Sequence, residues 1–238
     1  MEFYMPTLIE FKNVVKEYEN GDQFIKVANN LNFTIDKGEL VIILGPSGSG
    51  KSTLLNLLGG LDKVTSGDII VNGEKISNFS EKELTQYRAK EIGFIFQFYN
   101  LIPNLTACEN IEILNDISEE KIDGKKVLCQ VGLSHHIDKF PSELSGGEQQ
   151  RVSIARAIAK HPSMLLCDEP TGALDSNTGK TIIELLVKLC KTENTTVIIV
   201  THNDEFAKIA DKIIHIKNGK IDEIEVQDNP LSMDDINW

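Results

Sequence analysis

One stretch constrains the fold of this chain more than any other: Gly45-Pro46-Ser47-Gly48-Ser49-Gly50-Lys51-Ser52-Thr53. It follows an apolar run typical of a buried strand, Leu40–Leu44, and precedes a leucine-rich stretch typical of a helix. A strand, a glycine-rich turn and a helix with the spacing Gly-x-x-x-x-Gly-Lys-Ser define a phosphate-binding loop. The alternative is a glycine-rich turn without a ligand, and the complete pattern in this context argues against it.

The residue types of this loop suit a triphosphate. Glycines let successive backbone N–H groups point inward, and a helix that starts near Gly50 adds its positive dipole end. Lys51 brings a cation to the outer phosphates, and Thr53 can donate to an inner phosphate. The Ser52 hydroxyl can ligate Mg²⁺. The loop therefore predicts a nucleoside triphosphate with magnesium, and leaves open what hydrolysis drives.

The bulk composition narrows the classes of partner. Of the 238 residues, 41% are hydrophobic and 25% charged, and the formal net charge is -12. A nucleic-acid binder should show a basic stripe, and none is visible, so no nucleic-acid partner is expected. The four cysteines are widely spaced, which favours free thiols in a reducing compartment. No apolar stretch approaches the ~18 residues that span a bilayer, so we expect a soluble, cytoplasmic chain.

Four polar residues end or follow strand-like apolar runs: Gln97, Asp168, Glu169 and His202. The carboxyl ends of parallel strands face the crevice where α/β sheets bind ligands. There Asp168 can hold Mg²⁺ through water, and Glu169 can polarise an attacking water. The alternatives are a solvent-facing glutamine, a pair of carboxylates that cap the next helix, and a structural histidine.

A second anion-binding turn is predicted at Ser145-Gly146-Gly147, where a helix over Gln149–Lys160 begins. The free N–H groups of a helix start can bind an anion, although many helices start in this way. Near the N-terminus, Leu8–Val15 and Phe24–Ile35 alternate as strands of an antiparallel sheet. Tyr18 lies between them, where an aromatic ring can stack on adenine or pack on its neighbours.

The organisation of the chain follows from changes in its pattern. We expect a single domain over residues 1–238, with a helical lobe inserted at about 100–142 and an acidic tail at about 225–238. Within the lobe, a helix is predicted over Ser118–Val131 with a break at Gly124. The acidic tail carries no chemical motif and is expected to be partly disordered from Asp222 onward.

Taken together, these motifs resemble those of the nucleotide-binding subunit of ABC transporters, from about Leu8 to Ile224. The resemblance implies an α/β fold: a P-loop NTPase core with an N-terminal antiparallel β subdomain and an inserted α-helical subdomain. The matching motifs are Walker A at Gly45–Thr53, the Q-loop glutamine Gln97, the signature Leu144–Glu148, Walker B at Met164–Asp168, the catalytic glutamate Glu169, the D-loop Ala173–Asp175, the switch histidine His202 and the adenine-stacking Tyr18.

Finer features resemble one subgroup, the ATPases of macrolide-exporter, lipoprotein-release and antimicrobial-peptide-resistance systems. They are Ile92–Gln97 with Asn100–Pro103, and Asp168–Asp175. Two features depart from the subgroup: Phe98 replaces a frequent second glutamine, and the lobe between Ile113 and Leu133 is shorter than usual. The resemblance implies an integral membrane permease partner and a place at the inner face of the cell membrane. It also implies export or removal of antimicrobial peptides, macrolides or lipoproteins.

The resemblance further implies a homodimer in the ATP-bound state, in which each site joins the phosphate loop of one copy to the signature turn of the other. It assigns catalysis to Glu169 as general base, His202 at the γ-phosphate, Gln97 and Lys51. It assigns Mg²⁺ to Ser52, Gln97 and Asp168. The implied ATP-binding residues are Tyr18, Gly45, Pro46, Ser47, Gly48, Ser49, Gly50, Lys51, Ser52, Thr53, Ser145, Gly146, Gly147, Glu148 and Asp175.

Other classes fit the sequence less well. Chromosome-maintenance ATPases of this family carry a long coiled coil, and no heptad run is present. Translation factors of the family carry two such domains, and a small-molecule P-loop kinase would not need the Ser145 turn or His202. The closer alternative is a regulatory ATPase whose cycle drives signalling by a membrane partner without transport. Its ATP-hydrolysing part would carry the same motifs as that of an exporter.

Overall fold

The computed structural model describes residues 6–21, 23–118 and 120–235. The ends of the predicted 1–238 domain, and Glu119 within the predicted helix, lie outside these described residues. The strands and longer helices are β1 (Thr7–Asn20), β2 (Gln23–Asp36), β3 (Leu40–Leu44), α1 (Lys51–Leu58), β4 (Ser66–Val71), β5 (Glu74–Lys75), α2 (Glu81–Glu91), β6 (Ile92–Phe96), α3 (Ala107–Glu112), α4 (Gly124–Gln130), α5 (Gly146–Ile158), β7 (Met164–Asp168), α6 (Ser176–Glu193), β8 (Thr196–Thr201), β9 (Lys212–Lys217) and β10 (Lys220–Val226).

Within the described ranges, six strands form one sheet in the order β10-β9-β3-β8-β7-β6. All neighbours in this sheet pair in parallel except β9 and β10, which form an antiparallel hairpin. A second sheet, in the order β2-β1-β4-β5, is antiparallel. The predicted antiparallel N-terminal unit and the P-loop core are therefore both confirmed.

The central strand β3 lies between two hydrophobic cores. Leu40, Ile42 and Leu44 face a core that includes side chains of α3 to α6, and Val41 and Ile43 face a core that includes α1 and the antiparallel sheet. All five side chains are buried. Each fully buried aliphatic side chain contributes roughly 1.5–3 kcal/mol, which explains why the strand is a continuous apolar run.

The prediction of a helix over Ser118–Val131 is wrong in its first half. Helix α4 begins only at Gly124, because the Asp123 carboxylate accepts hydrogen bonds from the backbone N–H groups of Lys125 (3.1 Å) and Lys126 (3.2 Å). Aspartate is a preferred residue at such a helix start. None of the helices in the described part of the chain is long and apolar enough to cross a bilayer.

The acidic tail is ordered further than predicted. Strand β10 pairs with β9 as far as Val226, so disorder from Asp222 onward is the wrong expectation for these residues. Beyond the strand, the backbone N–H of Gln227 donates to the Asp211 carbonyl (2.9 Å), and that of Leu231 donates to Lys208 (2.8 Å). Backbone pairing therefore holds this segment although its side chains are mostly polar.

Close packing of α5 on β6 generates a stability prediction. A Cβ atom added at Gly93 would lie 2.5 Å from Leu165 Cδ2 and 2.8 Å from the Ala157 carbonyl oxygen. We expect Gly93→Ala to lower the free energy of unfolding by about 1–3 kcal/mol, because overpacking forces the helix and the strand apart. Urea denaturation measures this change.

Gly179→Ala in α6 is the matched control. There the nearest atom to the added Cβ would be Thr171 Cβ, at the ordinary contact distance of 3.4 Å. Alanine is favoured over glycine inside a helix, so this variant should be neutral or more stable by up to about 1 kcal/mol. Equal effects of the two substitutions would contradict the packing argument.

Candidate functional site

The parallel register brings the predicted strand-end residues to one edge of the sheet. Leu44, which precedes the phosphate loop, pairs with Thr201, and Phe96 pairs with Asp168. A cleft of about 900 Å³ opens at this edge. Its lining residues are Val27, Ser47, Gly48, Gly50, Lys51, Ser52, Thr53, Phe96, Gln97, Phe98, Asn100, Asp168, Glu169, Gly172 and His202.

The phosphate loop is tightly curled. Gly48 and Gly50 have φ angles of 77° and 104°, in the left-handed region that favours glycine. A Cβ added at Gly50 would lie 2.4 Å from the Val27 carbonyl oxygen, so no other residue fits there. The Lys51 ammonium donates to the carbonyls of Gly45 (2.8 Å) and Pro46 (3.0 Å) and is nearly buried.

The loop also fits a phosphate ligand because some of its hydrogen-bond donors lack a partner among the described residues. The Ser49 hydroxyl is buried and has no hydrogen-bond partner in the described residues. Helix α1 begins at Lys51, within the loop motif, so its first backbone N–H groups have no partner within the helix. These donors are suited to anionic oxygens.

Two oxygen-bearing side chains, Ser52 of α1 and Asp168 at the end of β7, meet in the cleft. The Ser52 hydroxyl donates to Asp168 Oδ1 at 3.1 Å. Burial raises the pKa of Asp168, the charge of Glu169 adds to this, and the hydrogen bond from Ser52 opposes it. A hydroxyl and a carboxylate are ligands that Mg²⁺ accepts, so the residues present fit the implied ion.

Glu169 has an unusual backbone and two side-chain partners. Its φ angle is 48°, in the left-handed region that costs a non-glycine residue about 1–3 kcal/mol. Its Oε1 lies 2.9 Å from His202 Nδ1, and its Oε2 accepts from the Thr201 hydroxyl at 3.4 Å. An ionised carboxylate only accepts hydrogen bonds, so this geometry suits the His202 tautomer that has its proton on Nδ1.

Tyr18 lies beside the phosphate loop rather than in the cleft lining. Its hydroxyl donates to Asp62 Oδ2 (2.6 Å), and Lys16 Nζ lies 4.7 Å from its ring centroid. Burial and the bond to Asp62 raise the pKa of Tyr18, and a hydrogen bond with Thr53 opposes this rise. Tyr18 is 39% exposed, which leaves part of its ring open to a ligand.

Not every predicted site residue lines the cleft. The signature residues Ser145, Gly146, Gly147 and Glu148 and the D-loop Asp175 do not. Ser145 is an exposed helix cap whose backbone N–H and hydroxyl both donate to Glu148 Oε2 (2.8 Å each). Asp175 is likewise exposed and caps α6 by accepting from the backbone N–H of Thr178 (3.1 Å).

The remaining predicted residues are on the loops around the cleft. Gln97 is half-buried and packs over Gly172, where an added Cβ would lie 2.9 Å from Gln97 Nε2. Within the part of the chain that the structure describes, the Gln97 amide has no hydrogen-bond partner. Gly45 and Pro46 take part through the carbonyls that hold Lys51.

Sequence reasoning missed three contributors to the site. Thr201 binds Glu169, and its position one residue before His202 at a strand end could have indicated it. The Val27 carbonyl closes the loop against Gly50, and only the fold shows this contact. Asp62 holds the Tyr18 hydroxyl across 44 residues of sequence, for which no local pattern exists.

Comparison with known proteins identifies the class. The family model described as "ABC transporter" matches residues 28–172. The chain therefore belongs to the ABC transporter family and is its ATP-binding, ATP-hydrolysing domain. Similarity to the macrolide export ATP-binding/permease protein MacB of Pasteurella multocida supports the subgroup inferred from the sequence: 46% identity over 90% of this chain and 34% of that protein.

Two further relatives define how much of the chain is matched. A putative ABC transporter ATP-binding protein of Mycoplasma pneumoniae is 42% identical over 97% of this chain, which spans 50% of that protein's length. The uncharacterized ABC transporter ATP-binding protein MJ0796 of Methanocaldococcus jannaschii is 43% identical over 92% of this chain and 97% of its own length. The solved dimeric structure of MJ0796 with ADP and Pi has a TM-score of 0.85 and covers 92% of this chain and 98% of its own.

The raised pKa of Asp168 generates a prediction about stability. The folded protein holds this proton more tightly than the unfolded chain does, so stability falls as pH rises between the two pKa values. Above the folded pKa the whole cost is present. We therefore expect Asp168→Asn, which keeps the acceptor for Ser52, to melt at a higher temperature than the parent at pH 7 without divalent cations.

The advantage of Asp168→Asn should shrink below about pH 4, where the carboxyl is protonated in both states. The same substitution at Asp138, which is exposed, is the control and should leave the melting temperature unchanged at both pH values. A lower melting temperature for Asp168→Asn at pH 7 would show that burial of this carboxylate is not costly.

Proposed function

We propose that this chain binds ATP with Mg²⁺ and hydrolyses it to energise a membrane permease that exports or removes antimicrobial peptides, macrolides or lipoproteins. The observation that carries the chemical part is the single cleft in which the phosphate loop, the Asp168–Glu169 pair and His202 meet. The macrolide class rests on the similarity to MacB, whose name describes macrolide export. The peptide and lipoprotein classes rest on the resemblance of the sequence motifs to the subgroup.

The side chains in the cleft have different roles in hydrolysis. Lys51 and the backbone N–H groups of the loop bind the phosphates, and Glu169 acts as the general base toward water. His202 orients the Glu169 carboxylate through the 2.9 Å contact and contacts the γ-phosphate of the substrate. Mg²⁺ held by Ser52, Gln97 and Asp168 would neutralise charge that develops on the phosphates.

Two copies of the chain are needed to complete each ATP site in this proposal. The Ser145 turn, a predicted anion-binding turn, lies outside the cleft that contains the phosphate loop. It is exposed and therefore open to the triphosphate held by a second copy. The solved structures of MJ0796, a protein similar over nearly all its length, are dimeric. Hydrolysis would remove contacts to the γ-phosphate and so release the two copies.

The permease is proposed to dock near the Q-loop and the helical lobe. Phe98 is 75% exposed directly after Gln97, and Ile113 and Ile117 are exposed apolar side chains of the lobe. Phe98 also lines the cleft, so it can report the nucleotide state to a partner that docks on these exposed apolar side chains. The chain would then lie at the inner face of the cell membrane through that permease.

The first prediction from this proposal concerns binding. Lys51→Ala removes the cation that lies inside the phosphate loop, so ATP affinity should fall by at least about tenfold. Isothermal titration calorimetry with ATP and Mg²⁺ measures it. Lys63→Ala, which removes an exposed lysine paired with Glu81, is the control and should keep the affinity of the parent. Unchanged affinity in Lys51→Ala would refute the phosphate-binding role.

The second prediction concerns hydrolysis and assembly. Glu169→Gln keeps the size of the side chain and removes the general base, so turnover should fall by about 10²-fold or more while ATP still binds. The trapped ATP should accumulate the dimer in size-exclusion chromatography with ATP and Mg²⁺. The parent in ADP serves as the monomer reference. A variant that binds ATP and stays monomeric would argue against two-copy sites.

A further inference from the structure

Helix α5 reaches both loops that carry the predicted catalytic residues. Gln150 Nε2 donates to the Pro170 carbonyl (2.7 Å), one residue after Glu169, and makes a longer contact to the Phe96 carbonyl (3.4 Å), one residue before Gln97. One buried amide therefore links the two loops from the helix that starts at the signature turn.

A second side chain of the same helix holds the far side of the Gln97 segment. Arg156 donates through Nη1 to the Asn100 carbonyl (2.8 Å) and through Nη2 to the Tyr99 carbonyl (3.1 Å). Together with Gln150, it fixes the backbone on both sides of Gln97 and Phe98. A planar guanidinium fork suits two neighbouring carbonyl oxygens, which a lysine cannot bind in the same way.

The backbone that these side chains hold is strained. Tyr99 and Asn100 have φ angles of 51° and 52°, and Glu169 has 48°, all left-handed and none a glycine. This conformation costs free energy for a residue other than glycine and persists only where the surroundings enforce it. The two α5 side chains bind the carbonyls of Tyr99, Asn100 and Pro170, which lie at or next to these strained positions.

The burial and the hydrogen-bond partners of Gln150 and Arg156 indicate more than a packing role. Gln150 is completely buried. Its Nε2 donates to two carbonyls, and its Oε1 has no hydrogen-bond partner among the described residues. Among the described residues, Arg156 has no carboxylate partner. Burial of its guanidinium lowers the pKa of Arg156. A buried amide and a charged group held by carbonyls alone are costly choices for mere packing.

We propose that Gln150 and Arg156 are positioning residues for ATP hydrolysis, which hold the Gln97 segment and the Glu169 turn against the helix that begins at the Ser145 turn. This inference rests on the proposed ATPase activity and adds a physical link within one copy. The signature turn, which is offered to a second copy, is tied through α5 to the loops that hydrolyse the first copy's own ATP.

The test uses Gln150→Met, which keeps the side-chain volume and removes the donor, and Arg156→Lys, which keeps the charge and removes the fork. For each, kcat should fall by about 10-fold to 100-fold, since misplaced catalytic groups cost that much, while the KM for ATP stays within about threefold. Amide hydrogen exchange should rise at residues 97–100 in both variants and at 169–172 in Gln150→Met.

Gln86→Met, on the exposed face of α2, is the matched control and should keep the parent kcat. In a Glu169→Gln background, Gln150→Met should cause a smaller loss of hydrolysis than it causes in the parent, because the part of its effect that acts through Glu169 is already gone. A purely structural role would instead give additive losses and a lower melting temperature. If one variant fails to fold, the other alone decides.

The inference is overturned if a folded variant keeps the parent kcat, or if the losses with Glu169→Gln are additive. These outcomes leave the proposed function standing, because the parent still hydrolyses ATP. A parent chain without Mg²⁺-dependent ATP hydrolysis would instead refute the proposed function itself, and the inference with it.

Discussion

The parallel pairing of β3, β8, β7 and β6 is the constraint on which the site depends. Each strand ends at the same edge, so residues that are more than 150 positions apart in sequence, such as Lys51 and His202, line one cleft. The pairing needs no polar side chain to hold it, because the central strands are buried on both faces. A rigid apolar sheet can therefore carry loops whose own conformations are unfavourable.

Those loops contain residues whose backbone conformation or burial costs free energy of folding. Glu169 has left-handed backbone geometry, Asp168 is a carboxylate that burial disfavours, and Ser49 is a buried hydroxyl without a partner in the described ranges. Each would be a defect in a purely structural protein. In the proposed function, a bound triphosphate and divalent cation would supply partners for the Ser49 hydroxyl and the Asp168 carboxylate. The surrounding sheet and α5 hold these groups in place until ligand binds.

Much of this arrangement was predictable from the sequence. Strand Leu40–Leu44 matches its prediction to the residue, because a continuous apolar run that ends at a glycine has clear limits. The phosphate loop depends on short-range contacts that sequence spacing reveals. Helix α4 was misplaced because the period of its apolar residues continued upstream of Asp123, where the cap sets the true start.

The contacts that tie distant loops together were not predictable. Tyr18 with Asp62, and Arg156 with Tyr99, are pairs whose members share no local pattern. The order of the acidic tail was underestimated for a similar reason, because backbone pairing with β9 orders residues whose side chains are acidic. Such contacts depend on the register of the whole fold rather than on any window of sequence.

The central claim is that one copy's phosphate loop and another copy's Ser145 turn form each ATP site. Mixing two inactive variants tests it most directly: Lys51→Ala, and Ser145→Asp, which keeps a helix-capping acceptor but repels phosphate. A mixed dimer would contain one intact composite site, so ATP hydrolysis should appear on mixing although neither variant hydrolyses ATP alone. No gain in hydrolysis at any mixing ratio would contradict the account.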